Sequence, residues 1–208
     1  LVTALVTYLL VPPVRRFAIR IGAAPEIRDR DVHKVRTPRL GGLAMFGGLI
    51  AGLLVASRLT HIGKIVEDNQ LLLPLLAAGA LIVLTGFLDD WWGMDALIKL
   101  GGQIAAAGLL VVFGLKLPWI PLPKGGVLSL DDTLTTVITI MIVVVTINAV
   151  NFVDGLDGLA AGIVCIAALA TFAYSIALST DISSTRLNAT AVITSVLIGM
   201  CLGFLPHN

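Results

Sequence analysis

Residues 134–162 read LTTVITIMIVVVTINAVNFVDGLDGLAAG, an apolar run that ends in a polar segment. The polar side chains stand three residues apart: Asn148, Asn151, Asp154 and Asp157. Steps of three turn an α-helix by about 300° each, so one straight helix would point the first and last of them to opposite sides. Gly155 and Gly158 indicate instead that one helix ends here and another begins, which lets the polar groups converge.

This polar segment at the end of an apolar span has two interpretations. Ionisable side chains beside hydrocarbon are costly, and they usually mark a functional site. The simpler alternative is a hydrophilic loop whose Asn and Asp residues only cap helix ends. Capping explains one or two such residues but hardly four of them with two Asp-Gly turns. We therefore favour a functional site.

The composition is that of a polytopic membrane protein. Hydrophobic residues make up 57% of the 208 residues and charged residues 13%, with a mean hydropathy of +0.99. Soluble domains carry about 25% charged residues. Spans near the ~20 residues that cross a bilayer are predicted at 1–14, 43–57, 71–88, 100–115, 134–150, 157–178 and 188–205. We expect an all-α fold in one integral membrane domain, 1–208, with the lipid bilayer as a partner. A net charge of +1 gives no indication of nucleic acid.

Basic residues predict which loops face the cytoplasm. One side of the predicted membrane carries Arg15, Arg16, Arg20, Arg28, Arg30, Lys34, Arg36, Arg39 and Lys99. The other side carries only Arg58, Lys64, Lys116, Lys124 and Arg186. The positive-inside rule makes the first connection, 15–42, cytoplasmic. Counting spans then places the loops near 89–99, 148–157 and 206–208 on the same face, so every polar cluster of interest shares it.

A second cluster, GFLDDWWG at 86–93, ends the third predicted span. The adjacent carboxylates of Asp89 and Asp90 do not titrate independently, and one pKa is expected to rise toward that of a useful base. A nearby Mg²⁺ would instead hold both ionised. Lys99 begins the next span, where its ammonium could meet phosphate oxygens. A polar turn with a snorkelling lysine is the alternative. Because the Asn/Asp segment is predicted on the same face of the membrane, we favour a metal–phosphate site over this alternative.

The third cluster is VHKVRTPRLGG at 32–42. Its basic residues could hold phosphate or anionic lipid head groups. His33, Arg36 and Arg39 lie close to the Pro and Gly turn and are the candidates for substrate contact. Arg15, Arg16 and Arg20 are at least as well explained as a topology signal. No P-loop, Ser/His/Asp or HExxH pattern is present.

Together these motifs resemble those of the polyprenyl-phosphate N-acetylhexosamine-1-phosphate transferases. VHKVRTPRLGG, GFLDDWWG with its following Lys and Gln, and NAVNFVDGLDGLAAG occur in the family's order, from about residue 25 onward. The resemblance implies ten or more transmembrane helices, of which about seven are present here. It also implies a plasma-membrane enzyme with a cytoplasmic active site. The PRLGG form is more like the UDP-N-acetylglucosamine branch than the muramoyl-pentapeptide branch, whose usual form is PTMGG.

The resemblance implies transfer of GlcNAc-1-phosphate from UDP-GlcNAc to a polyprenyl phosphate. The products would be polyprenyl-pyrophosphoryl-GlcNAc and UMP, in the first membrane step of a cell-envelope glycan pathway. The implied cofactor is Mg²⁺, with Mn²⁺ as a second candidate. Direct attack, a covalent aspartyl intermediate and a homodimeric assembly all stay open. The main alternative is a phospho-N-acetylmuramoyl-pentapeptide transferase. A secondary transporter, which would carry its polar groups within the spans, is the alternative of another class.

The resemblance also implies roles for single residues. Asp89 and Asp90 would be catalytic, deprotonating the lipid phosphate or acting close to the metal. Lys99 would contact phosphate, Asn151 the metal or pyrophosphate, and Asp157 the uracil. The remaining candidates for substrate binding are Asn148, Asp154, Gly158, Leu159, His33, Arg36 and Arg39.

One departure from the family's pattern concerns the end of the chain. The family continues with a metal-binding Asp in an FMGDxGS-like motif and then a His-rich loop, whereas this sequence stops at Asn208. It also begins at Leu1 rather than at an initiator Met. We therefore expect a domain truncated at both ends, with the principal Mg²⁺ ligand beyond Asn208.

Overall fold

The computed structural model describes residues 1–21, 40–68, 70, 72–123, 125–154, 158–181 and 185–208. Its helices in these ranges are α1 Val2–Arg20, α2 Gly41–Arg58, α3 Thr60–Asp68, α4 Leu72–Trp92, α5 Ala96–Val112, α6 Asp132–Val153, α7 Leu159–Asp181 and α8 Thr185–Phe204. Two short strands, β1 Trp119–Pro121 and β2 Val127–Ser129, connect α5 to α6, and a 3-10 turn follows α8.

The helices confirm the all-α polytopic fold class. Within the described residues, α1, α2, α4, α6, α7 and α8 are long and apolar enough to cross a bilayer. The helix α5 is apolar but has only 17 residues. At 1.5 Å per residue it covers about 25 Å, slightly less than the ~30 Å hydrocarbon core. It begins at Ala96 rather than at the predicted residue 100, because the Asp95 carboxylate caps it by accepting the N–H of Leu97 at 2.8 Å.

Two elements between the spans lie at the end of the bundle opposite the predicted site. The nine-residue helix α3, which the sequence analysis does not predict, packs Ile62 and Ile65 near Ala56 and Val192. The strands β1 and β2 form an antiparallel hairpin with Ile120 opposite Leu128. The connection that leads into this hairpin is held to α6 by an ion pair between Lys116 and Asp132 and by a hydrogen bond from the N–H of Leu117 to Oγ1 of Thr139.

The helix α1 is packed closely between α2 and α8. Gly48 and Gly52 of α2 lie directly against Thr7 and Thr3 of α1. Glycines of α8 contact the same stretch of α1 from the other side: Gly199 and Gly203. Small residues at such spacing let helix backbones approach each other, which favours association inside a bilayer. Elsewhere α7 packs on α8, α4 packs on α2 and α5, and α5 packs on α6.

Candidate functional site

One end of the bundle collects helix ends that are far apart in the sequence. The ring of Phe204, at the end of α8, lies against Gly41 at the start of α2. Leu205 lies beside Gly158, just before α7. Phe87, near the end of α4, packs with a small buried cluster that includes Ala18 of α1. The described parts of the three sequence motifs therefore meet at the same end of the molecule.

The acidic pair lies in the last turn of α4, as the sequence predicts. The helix ends at Trp92, and Gly93 follows with a φ of +67°, a left-handed conformation that glycine adopts readily. The Asp89 carboxylate oxygen Oδ1 accepts the N–H of Met94 at 3.1 Å. The same oxygen lies 2.7 Å from Nζ of Lys99. Asp89 thus ties the end of α4 to the start of α5.

The Asp89–Lys99 pair is accessible to solvent. The two side chains are 29% and 39% exposed, so the pair is only partly screened from water. An ammonium group has three N–H donors, so Lys99 can hold Asp89 and still donate to a further oxygen. This geometry is compatible with both interpretations of the sequence, the metal–phosphate site and the polar turn with a snorkelling lysine, so the role of Lys99 in phosphate binding stays a prediction.

The helix α5 connects this acidic pair to α6. Gln103 is one turn beyond Lys99 on the same face of α5, and its side chain is buried, at 8% exposed. Its Oε1 accepts a hydrogen bond from Nδ2 of Asn148 at 2.6 Å. Nδ2 of Asn148 also donates to the carbonyl of Val144 at 2.8 Å. One face of α5 therefore contacts two of the three predicted motifs: GFLDDWWG through Asp89, and the Asn/Asp segment through Asn148.

The prediction that the Asn/Asp segment contains a helix end and a helix start is confirmed. The helix α6 continues through Asn148 and Asn151, whose side chains project about 60° apart around its axis. It ends at Val153, and Asp154 is the C-cap residue, with its N–H bonded to the carbonyl of Val150. Gly158 has a φ of +71°, and α7 begins at Leu159.

Four of the candidate site residues lie outside the described residues: Asp157, His33, Arg36 and Arg39. The positions flanking the basic segment are nevertheless informative. Leu40 is buried beside Ala18, and Ile21 and Phe87 pack against this pair. Phe87 precedes Asp89 by two residues. Ile21 and Leu40, the described residues on either side of the basic segment, therefore lie near the end of α4 that carries the acidic pair.

Oxygen donors suited to a divalent cation are present at this end of the bundle. They are Asp89, Asp90, Asn148, Asn151 and Asp154, and Mg²⁺ prefers such carboxylate and amide oxygens. Among the residues that the structure describes, no three His, Cys, Asp or Glu side chains form a metal-binding group. The donor chemistry fits Mg²⁺, but the described residues offer separate donors rather than an assembled carboxylate cluster.

An apolar crevice lies directly beside the polar segment. It is a cavity of about 130 Å³ between the end of α6 and the start of α7. Its lining consists of aliphatic side chains: Ala149, Val150, Val153, Ala160, Ile163 and Val164. Three of these residues belong to the last turns of α6, where they lie between Asn148, Asn151 and Asp154 in the sequence. The end of α6 thus carries polar and apolar side chains next to each other.

Gln103 was not predicted from the sequence as a site residue, although it follows Lys99 in the second motif. An uncharged amide in an apolar span, one turn from a motif lysine, is the signal that could have identified it.

Comparison with known proteins assigns the chain to a family. Residues 72–208 match the family described as glycosyl transferase family 4. The whole chain is 45% identical to the decaprenyl-phosphate N-acetylglucosaminephosphotransferase of Mycobacterium tuberculosis strain H37Rv and covers 52% of it. It is 34% identical over 124 residues to the probable undecaprenyl-phosphate N-acetylglucosaminyl 1-phosphate transferase of Bacillus subtilis, covering 59% of this chain and 32% of that protein.

A relative from the muramoyl-pentapeptide branch also matches part of the chain. It is the phospho-N-acetylmuramoyl-pentapeptide-transferase of Corynebacterium jeikeium, 32% identical over 140 residues, or 60% of this chain and 36% of that protein. No solved structure matches significantly. The chain spans about half the length of the mycobacterial relative that it matches over its whole length. From the match over residues 72–208, we conclude that the chain belongs to glycosyl transferase family 4.

Proposed function

We propose that this chain carries part of the active site of an enzyme that transfers GlcNAc-1-phosphate from UDP-GlcNAc to a polyprenyl phosphate. The products are polyprenyl-pyrophosphoryl-GlcNAc and UMP. One observation carries the proposal: α5 joins the acidic pair of α4 to the amides of α6 through the Lys99–Asp89 and Gln103–Asn148 contacts. This arrangement gathers carboxylates, amides and an ammonium at one end of a membrane bundle.

The relatives support the choice of donor sugar. The relatives that match the whole chain, at 44–45% identity, are named for N-acetylglucosamine phosphate transfer to decaprenyl phosphate. The muramoyl-pentapeptide relative of Corynebacterium jeikeium matches 60% of the chain at 32% identity. GlcNAc-1-phosphate is therefore the donor group we propose.

The surroundings of the site suit a lipid acceptor. A polyprenyl phosphate has its charged group at the membrane surface and its chain in the hydrocarbon. The polar end of α6 could face the phosphate, while the crevice lined by Val150, Val153 and Ile163 offers an adjacent apolar surface. We place this site at the cytoplasmic face of the plasma membrane, because the basic residues are concentrated on that side.

The described side chains suggest how the reaction proceeds. Phosphoryl transfer depends mainly on positioning and on stabilising charge that spreads over phosphate oxygens. The lipid phosphate oxygen attacks the β-phosphorus of UDP-GlcNAc, and UMP leaves. Lys99 donates to a diphosphate oxygen while Asp89 holds its ammonium in place. The acidic pair accepts the proton of the lipid phosphate or orients that phosphate. Asn151 and the acidic pair would hold Mg²⁺, which neutralises diphosphate charge when bound.

The test uses the purified full-length protein in lipid nanodiscs with Mg²⁺ and decaprenyl phosphate. UDP-GlcNAc labelled in the sugar should give UMP and a labelled lipid that extracts into organic solvent. UDP-MurNAc-pentapeptide serves as the competing donor. Transfer from that donor but not from UDP-GlcNAc would establish the muramoyl alternative. Transfer from neither would reject the proposed reaction.

A further inference from the structure

We infer that Gln103 is a positioning residue, which sets the rotation of α6 and thereby places Asn151 and Asp154 opposite the acidic pair. This inference rests on the proposed function. The contact that motivates it joins Oε1 of Gln103 to Nδ2 of Asn148 at 2.6 Å, across two helices and 45 positions of sequence. Gln103 itself acts through Asn148 and not on the substrate.

The burial of Gln103 makes this contact specific. The side chain is 8% exposed, in a helix whose other buried residues near it are Ala106 and Ala107. A buried amide oxygen without a donor is costly, so α6 is favoured in the rotation that brings Asn148 to Gln103. The neighbouring helix α7 constrains the end of α6 less, because the two are separated there by the apolar crevice.

A small rotation of α6 would be sufficient to disturb the site. The side-chain surface of a helix lies about 5–6 Å from its axis, so a rotation of about 10° moves a side chain by about 1 Å. A misplacement of about 1 Å can reduce turnover by about 100-fold. Asn151 lies less than one turn beyond Asn148, so it follows any such rotation directly. Gln103 therefore controls residues that it does not touch.

The acidic pair on α4 is also held in position by α5. Lys99 is one turn before Gln103 on α5, and it holds Asp89 of α4 at 2.7 Å. The acidic pair and the amides thus take their positions from two consecutive turns of one face of α5. A change at Gln103 should displace Asn151 and Asp154 and leave the Asp89–Lys99 pair in place.

The kinetic test compares Gln103→Met, which keeps the side-chain length but removes the acceptor, with Gln103→Glu, which keeps an acceptor oxygen. In the full-length enzyme, Gln103→Met should lower kcat by about 10–100-fold with the KM for UDP-GlcNAc changed less than about 3-fold. Gln103→Glu should recover most of this loss. Ser175→Ala, which removes a buried hydroxyl from α7, is the control for loss of a buried polar group and should keep parental kcat.

A double-substitution cycle separates positioning from general damage. If Gln103 acts through Asn148, adding Gln103→Met to Asn148→Leu should lower kcat less than about 2-fold further. Losses that multiply, or a Gln103→Met enzyme with parental kcat, would overturn the inference. A parent protein that transfers nothing from UDP-GlcNAc would overturn the proposed function instead.

A distance measurement decides the positioning role without any activity. Spin labels at Leu97 and Phe152, which are 78% and 90% exposed, report the distance between the start of α5 and the end of α6. Cys165 and Cys201 are replaced in this background. Gln103→Met should broaden or shift the distance distribution by about 1–2 Å, whereas Ser175→Ala should leave it unchanged. An unchanged distribution in both variants would overturn the inference.

Discussion

The described residues contain two aspartate–lysine pairs of the same length at opposite ends of the bundle. Nζ of Lys99 lies 2.7 Å from Oδ1 of Asp89, and Nζ of Lys116 lies 2.7 Å from Oδ1 of Asp132. The pairs form a matched comparison, because Asp89→Asn and Asp132→Asn each remove one negative charge from an ion pair. Only the first pair belongs to the proposed site.

Both substitutions should leave the protein folded. Partly exposed ion pairs stabilise a fold by about 0.2–1 kcal/mol, because water screens them and the side chains lose freedom. The Asp132 side chain is 86% exposed, so its pair belongs at the lower end of that range. For a protein of this size the expected change in Tm is about 4 °C or less in either variant.

Turnover should separate the two variants clearly. Asp89→Asn should lower kcat by at least about 100-fold, which corresponds to about 2.7 kcal/mol of transition-state free energy. Asp132→Asn should stay within about 2-fold of the parent. The charge exchange Asp89→Lys with Lys99→Asp re-forms an ion pair but reverses its polarity towards phosphate. It should therefore regain stability without regaining turnover.

The assay is UMP release by full-length protein in nanodiscs, with Tm measured on the same samples. If the exchanged pair restored turnover to within a few-fold of the parent, the ion pair would serve only to join α4 to α5. If Asp89→Asn were no more harmful than Asp132→Asn, the acidic pair would have no place in the reaction.

Three further predictions concern topology, nucleotide binding and helix packing. A cysteine introduced at position 33 and one introduced at Gly93 should both be protected from impermeant reagents outside intact cells; ready labelling of position 93 from outside would contradict a shared cytoplasmic face. Asp157→Ala should weaken binding of UMP and UDP-GlcNAc alike, because both carry uracil; calorimetric titration with both ligands and with uridine checks this, and parental affinities would exclude a nucleotide role. Gly48→Ala should lower Tm by several degrees, because its new methyl group would collide with Thr7, whereas Gly42→Ala in the same helix meets nothing and should change Tm little; equal Tm values would show that α1 and α2 can separate at little cost.

The sequence predicts the helices well because hydrocarbon imposes a simple length rule. Spans of about 20 apolar residues are visible without knowledge of tertiary contacts. The break between α6 and α7 was predictable for a local reason, since Gly158 takes a left-handed conformation there. The helix α3 was not predicted, because nine residues are too few to cross a bilayer and its apolar side faces neighbouring helices.

The site was only partly predictable, because its contacts join distant residues. The sequence indicates that Lys99 belongs with phosphate chemistry, but it does not reveal that Asp89 holds the lysine before any substrate binds. The contact between Gln103 and Asn148 depends on how two helices rotate against each other, which no local pattern encodes. The roles of Asp89, Asp90, Asn151 and Asp154 in catalysis and metal binding stay predictions, as does the uracil contact of Asp157.

The position of α1 between α2 and α8 has a consequence for how the protein is made. Thr3 touches Gly52 of the next helix, but it also touches Gly199, about 200 residues later in the chain. At about 5–20 residues per second, the ribosome needs about 10–40 s to synthesise the intervening chain. During that interval one side of α1 is exposed to lipid or to another membrane protein. A membrane chaperone that covers small-residue helix surfaces would therefore have a defined period in which to act on this protein.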